Sequence, residues 1–161
     1  GNGEGVRAFV ASYAAMGANA PTMQLTYTNS AGTTGRTTTA GIVSTASATS
    51  GTILNSGNAA NKVGPFLTLA AGDTGIKDLE SLAWGGTAHA SGSVFIGLCK
   101  PLCMPIPVPA TGLYNMVDFV NTLPSMPRLR NGANIQFLVF GTGATTAAAT
   151  LYTNFDYGWG G

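Results

Sequence analysis

A chain of 161 residues suits a single domain and can bury roughly 70% of its unfolded surface, so a core needs no disulfide or metal staples. Charged residues make up only 8% and the net charge is +1, which excludes electrostatic steering toward nucleic acid or an anionic membrane. No run approaches ~20 consecutive apolar residues, which excludes a membrane-spanning helix.

Glycine, at 23 residues, is abundant, and Thr, Ala, Ser and Asn supply most of the polar surface. Such a surface has little charge to keep it dispersed and little desolvation cost when covered. A subunit buried among neighbours is expected, with a low-charge secreted monomer as the rival. Gly1 to Gly5 are polar, with no signal peptide and no initiator Met. That predicts a processed start or a fragment.

Residues 6–16 place Val6, Phe9, Val10, Tyr13 and Met16 at helical spacing. The pattern predicts an amphipathic helix ended by Gly17 and the run before Pro21. Residues 1–21 would then be an N-terminal helical arm that docks on a neighbour, and 22–161 a single β-domain. Removing residues 1–20 is expected to lower assembly and leave that domain folded. Residues 22–29 alternate Met23, Leu25 and Tyr27 with polar neighbours, as a half-buried strand does. The Gly/Thr/Ser-rich stretch 30–62 holds short strand candidates at 37–44 and 52–54.

A short strand is predicted at 65–70 and a Gly/Asp turn at 70–75. In 76–84, Ile76, Leu79 and Leu82 are spaced by three, but close glycines favour a strand. Residues 93–99 read as a buried strand apolar on both faces. The prolines of 101–109 forbid a central ladder position. Leu113, Met116, Val117, Val120 and Leu123 predict a helix stopped by Pro124 and Pro127. An Asn-Gly turn leads into a core strand at 131–140. In the tail, Tyr152 precedes Phe155, Tyr157 and Trp159, which alternate along a last strand. The expected fold is mainly β: an antiparallel sandwich or jelly roll with an N-terminal helix and one short internal helix.

Candidate chemistry is sparse. Cys99 and Cys103 lie ~13 Å apart if extended, and Pro101 argues against a helical turn between them. Both read as free, mostly buried thiols. Zinc wants about four ligands, and the single histidine, His89, lies ten residues from Cys99 in a Gly/Ser loop. Asp73, Asp78 and Glu80 form the acidic cluster, with Asp78 and Glu80 expected on one strand face. They satisfy neither a glycosidase pair nor a patterned calcium loop. GTGATT at 141–146 lacks the Lys of a phosphate loop, and GNGEG follows no strand. Arg128 and Arg130 are too small a patch to track phosphates. No catalytic residue, cofactor or metal is expected. The aromatic tail can fill a core, meet a neighbouring subunit, or stack on sugar rings.

TMQLTYTNSAGTTGR, FLTLAAGDTGIKDLESLAW, KPLCMPIPVP and LPSMPRLRNGANIQFLVF follow one another in order. Together, over residues 22–140, they resemble a group of poorly characterised virion structural proteins of tailed bacteriophages. The resemblance implies a capsid, decoration or appendage subunit repeated by symmetry, located in the virion and partnered by its own copies and other virion proteins. The expected contacts are Val6, Phe9, Val10, Tyr13, Tyr152, Phe155, Tyr157 and Trp159. A glycan-binding adhesin and a non-viral surface-layer or filament subunit are the alternatives.

Overall fold

The computed structural model describes residues 2–54, 65–102, 132–136 and 138. Among them are six strands and no α-helix: β1 (Arg7–Ala14), β2 (Thr22–Asn29), β3 (Arg36–Thr37), β4 (Ile42–Val43), β5 (Ile76–Gly85) and β6 (Ser93–Cys99). Every pairing is antiparallel. β1 pairs with β6 in one sheet; in the other, β2 is central, with β5 on one edge and the short β3 and β4 on the opposite one. The fold is mainly β, as expected.

The N-terminal helix is not there. RAFVASYA satisfies two periods at once, since Val6, Phe9, Val10 and Tyr13 sit at helical spacing while Ala8 and Val10 also alternate with Arg7 and Phe9. The strand prevails because it finds backbone partners on both sides. β6 runs along one edge over its whole length. On the other, the Leu67 N–H donates to Ala8 O at 2.8 Å, and Ser12 exchanges backbone bonds with Thr52 and Gly51 at 2.9 and 2.8 Å. Val, Phe and Tyr also suit a pleated surface, whereas an isolated three-turn helix is marginal. Ala8 and Val10 are fully buried, in one cluster with Met16, Met23, Leu25, Tyr27, Ile42, Leu54, Leu67 and Ile76. Both sheets therefore feed a single core, and residues 7–14 are part of it rather than a helical arm.

β2 matches its expected bounds and turns Met23, Leu25 and Tyr27 inward, all at most 1% exposed. The candidate at 37–44 reduces to β3 and β4, and that at 52–54 to a bridge between Ile53 and Ala11. Residues 65–70 are not a strand, although Leu67 and Leu69 are buried. Their backbone bonds go to different places, Leu67 to Ala8 and Thr68 to Thr39, so no continuous ladder forms.

β5 explains its own odd spacing. Ile76, Leu79, Leu82 and Trp84 oppose Asn29, Tyr27, Leu25 and Met23. Two register shifts leave Lys77 and Glu80 without opposite numbers. Each bulge inserts one extra residue, so a three-residue period on β5 matches a two-residue period on β2. Asp78 stands opposite Thr28 in this register and Glu80 accepts from Thr28 Oγ1 at 2.8 Å, so both carboxylates flank the same residue of β2. The turn at 70–75 forms with Gly72 at φ +84° and the Asp73 N–H donating to Ala70 O at 3.1 Å.

β6 forms where expected but is not buried. Phe95 is 44% exposed and Leu98 43%. At 131–140, Gly132 sits in a turn at φ +80°, yet residues 133–136 are irregular and exposed rather than a core strand. The expected helix at 113–123, the proline-rich run from 103 onward, Arg128, Arg130 and the aromatic tail lie outside the described residues.

Candidate functional site

The β1–β6 ribbon offers the most distinctive surface. Its register sets Val10 opposite Ile96 and Ser12 opposite Val94, and Ile96 and Val94 pack against the core. Alternation then places Phe9, Phe95 and Gly97 on the other face. The Phe9 and Phe95 rings meet edge to face, 5.9 Å apart at 83°, the geometry that aromatic quadrupoles favour. Gly97 stands opposite Phe9, and a Cβ there would run into the Phe9 ring. The missing side chain is what lets that ring lie across β6. Tyr13 occupies a register shift in β1 and is 73% exposed. Across both strands the only charged residue is Arg7. An aromatic, nearly uncharged face of this kind suits an apolar partner.

A Gly97→Ala chain is expected to fold with the Phe9 ring displaced. The loss is about 1 kcal/mol, the worth of an aromatic pair. A thermal melt reads the stability, and the ring-current shifts of Phe9 and Phe95 in NMR spectra should collapse.

Of the contacts expected from sequence, Phe9 and Tyr13 lie on this surface. Val6 is half-buried and packs against the core cluster. Val10 is fully buried, so it has no surface to offer a neighbour; its side chain faces inward because it pairs with Ile96. Tyr152, Phe155, Tyr157 and Trp159 lie outside the described residues. Phe95 and Leu98 were not among the expected contacts. For Phe95 the signal was present, since a strand apolar on both faces leaves one face over when a single core covers the other; Leu98 stands opposite Ala8 on the same strand face as Val94 and Ile96, yet is 43% exposed.

The polar candidates hold the fold together. Asp73 accepts from the Tyr27 hydroxyl at 2.6 Å, from Arg36 Nε at 2.9 Å and from Asn29 Nδ2 at 2.8 Å. The Tyr27 hydroxyl accepts in turn from the Ala70 N–H at 2.9 Å. Arg36, then Tyr27 and Asn29, hold the Asp73 carboxyl down at about 2. Burial first, and the bond to Asp73 second, push the Tyr27 hydroxyl up to about 12. Glu80 accepts from Thr28 Oγ1 at 2.8 Å and from the Gly35 N–H at 3.0 Å. The two carboxylates thus fasten the β2–β3 connection.

His89 is not a free loop residue. Its Nδ1 lies 3.3 Å from Gly17 O, its Nε2 lies 2.8 Å from Ser44 Oγ, and its ring meets Trp84 edge-on at 5.5 Å. With Nδ1 donating to the carbonyl, Nε2 accepts from the serine. Ser44 is only 1% exposed, so this Ser–His pair ties the 86–92 loop to the core and presents no nucleophile to a substrate. Cys99 is a free, half-buried thiol whose pKa burial raises, which disfavours the reactive thiolate; Cys103 lies outside the described residues. Cys99 lines a cleft of about 540 Å³ with Glu4, Lys77 and Lys100. Among the described residues no group of three or more His, Cys, Asp or Glu is placed to hold a metal ion.

The chain matches no protein-family model, no curated protein and no solved structure.

Proposed function

We propose that this chain is a non-catalytic structural subunit of a virus particle, a capsid, decoration or cement protein that self-associates by symmetry. Its two antiparallel sheets are read as the layers of a β-sandwich, of the jelly-roll kind. The observation that carries this reading is the exposed aromatic surface of β1–β6, with Phe95 44% and Tyr13 73% exposed, in a chain with only 8% charged residues. The resemblance of residues 22–140 to phage virion proteins points the same way.

Covering such a face removes apolar surface from water at ~25 cal/mol per Å². Symmetry then multiplies contacts that are weak singly. Native mass spectrometry of the full chain tests the reading. A ring or a larger closed species is the expected result, and a particle of 16.2 kDa at micromolar concentration would sink it.

A further inference from the structure

The chain's single histidine sits in a built seat. Three elements meet around the His89 ring: the β1–β2 connection at Gly17, Ser44 just after β4, and Trp84 of β5. The 86–92 loop that carries His89 is pressed onto residues 15–17. A Cβ on Gly17 would run into the Ala90 and Ser91 amides, and one on Gly92 into Met16 Sδ and the Ala15 carbonyl. The Gly17 N–H donates to Ser91 O at 3.0 Å, and Asn19 Nδ2 donates to Ala88 O at 2.8 Å. These bonds end on loop carbonyls, whereas His89 reaches out from the loop with its side chain.

The two ring nitrogens are held unequally. Gly17 O already accepts from the Ser47 N–H at 3.0 Å, and His89 Nδ1 lies 3.3 Å from it. Nε2 lies closer to its partner, 2.8 Å from Ser44 Oγ. A carbonyl has no proton to give, so Nδ1 is the donor, and Nε2 takes the serine proton into its lone pair. That arrangement requires a neutral ring. A proton on Nε2 makes both nitrogens donors, and two hydrogens then face each other between Nε2 and Oγ. The serine must turn its own proton toward an interior in which it is only 1% exposed, where a donor left without an acceptor is costly. A carbonyl, a hydroxyl and an indole face the ring, and among the described residues no carboxylate is paired with it to offset the new charge.

We propose that His89 is a proton-operated latch: the neutral ring holds the 86–92 loop on Gly17 and Ser44, and protonation releases the loop while both sheets stay folded. The loop joins β5 to β6, and neither the β2–β5 nor the β1–β6 ladder includes it, so its release leaves them intact. Imidazole is the side chain whose charge changes between pH 5 and 8. The Asp73 carboxyl, held at about 2, keeps its charge throughout that range. The latch acts in the single chain and does not depend on self-association.

Amide hydrogen exchange of the full chain, followed by NMR from pH 8 to pH 5, tests it. The readout is the protection of the Gly17 amide, corrected for the intrinsic exchange rate, beside the His89 ring signals in the same samples. At pH 8 the ring proton is expected on Nδ1. As the ring titrates, Gly17 protection should fall by about tenfold, while the amides of β2 keep theirs. His89→Gln retains one donor and one acceptor and cannot take up the charge, so its Gly17 protection should stay within about twofold across the range. A ring that titrates with Gly17 protection unchanged would overturn the latch. So would a fall that persists in the glutamine variant, or a ring proton on Nε2 at pH 8. Should the variant not fold, the parent decides alone, because a fall in protection that does not track the ring signals has the same consequence.

Discussion

A Val10→Asp chain is expected not to reach the folded state, whereas a Tyr13→Asp chain folds and loses assembly. The two positions are three residues apart on β1, and on a helix they would share a face. On the strand they do not behave alike: Val10 is fully buried and Tyr13 is 73% exposed. A carboxylate at position 10 must be desolvated or protonated at neutral pH, a cost of about 5 kcal/mol. That is comparable with the whole stability of an ordinary domain, about 5–15 kcal/mol. At position 13 the same carboxylate stays in water and only adds charge to a face that a neighbour would cover. Circular dichroism and thermal melting read the first effect, and native mass the second. By the same reasoning, deleting residues 1–20 is expected to unfold the domain, because it removes Ala8, Val10 and Met16 from the core cluster. If both substitutions merely lowered assembly, the placement of β1 in the core would be wrong.

The second large effect concerns acid. The Asp73 carboxyl is held at about 2 in the folded chain, against roughly 3.9 when unfolded. Between those values the unfolded chain binds the extra proton, so stability rises with pH across that window. The contribution is complete above about pH 4 and is lost as the pH falls through about 2. Asp73 thus contributes to the acid limb of the stability curve. Asp73→Asn should melt lower at pH 7, and its difference from the parent should shrink steadily from pH 4 to pH 2. A difference independent of pH would remove Asp73 from that role. Tyr27 behaves in the opposite sense. Its hydroxyl is pushed up to about 12, so its contribution is present below about pH 10 and is lost as the pH rises toward 12. Tyr27→Phe leaves the Ala70 N–H without its acceptor and removes one of the three donors to Asp73, which costs about 1–3 kcal/mol, or several degrees in Tm.

Some of this was legible without coordinates. TMQLTYTN alternates cleanly, and β2 takes those bounds because only one register buries Met23, Leu25 and Tyr27 together. Gly72 marks a turn by its tolerance of positive φ. Residues 76–84 gave a contradictory signal, with helical spacing inside a glycine-bounded strand. The contradiction was informative, since the two bulges of β5 are its solution. RAFVASYA was not decidable locally. Its side chains fit both a helix and a strand, and the choice rests on partners distant in the chain: β6, Thr52 and Leu67.

The sequence by itself determined that the chain is mainly β, and that Arg7 is the only charge in the stretches that became β1 and β6. Alternation, turn residues and composition are properties of neighbours along the chain, and they survive any arrangement in space. Only the tertiary structure decided that the first strand lies in the core, that Asp73, Tyr27, Arg36 and Asn29 converge, and that Phe95 and Leu98 stand outside the core. Those outcomes depend on contacts between residues tens of positions apart. Which of two locally acceptable conformations a segment adopts is set by the backbone partners and buried surface it finds there.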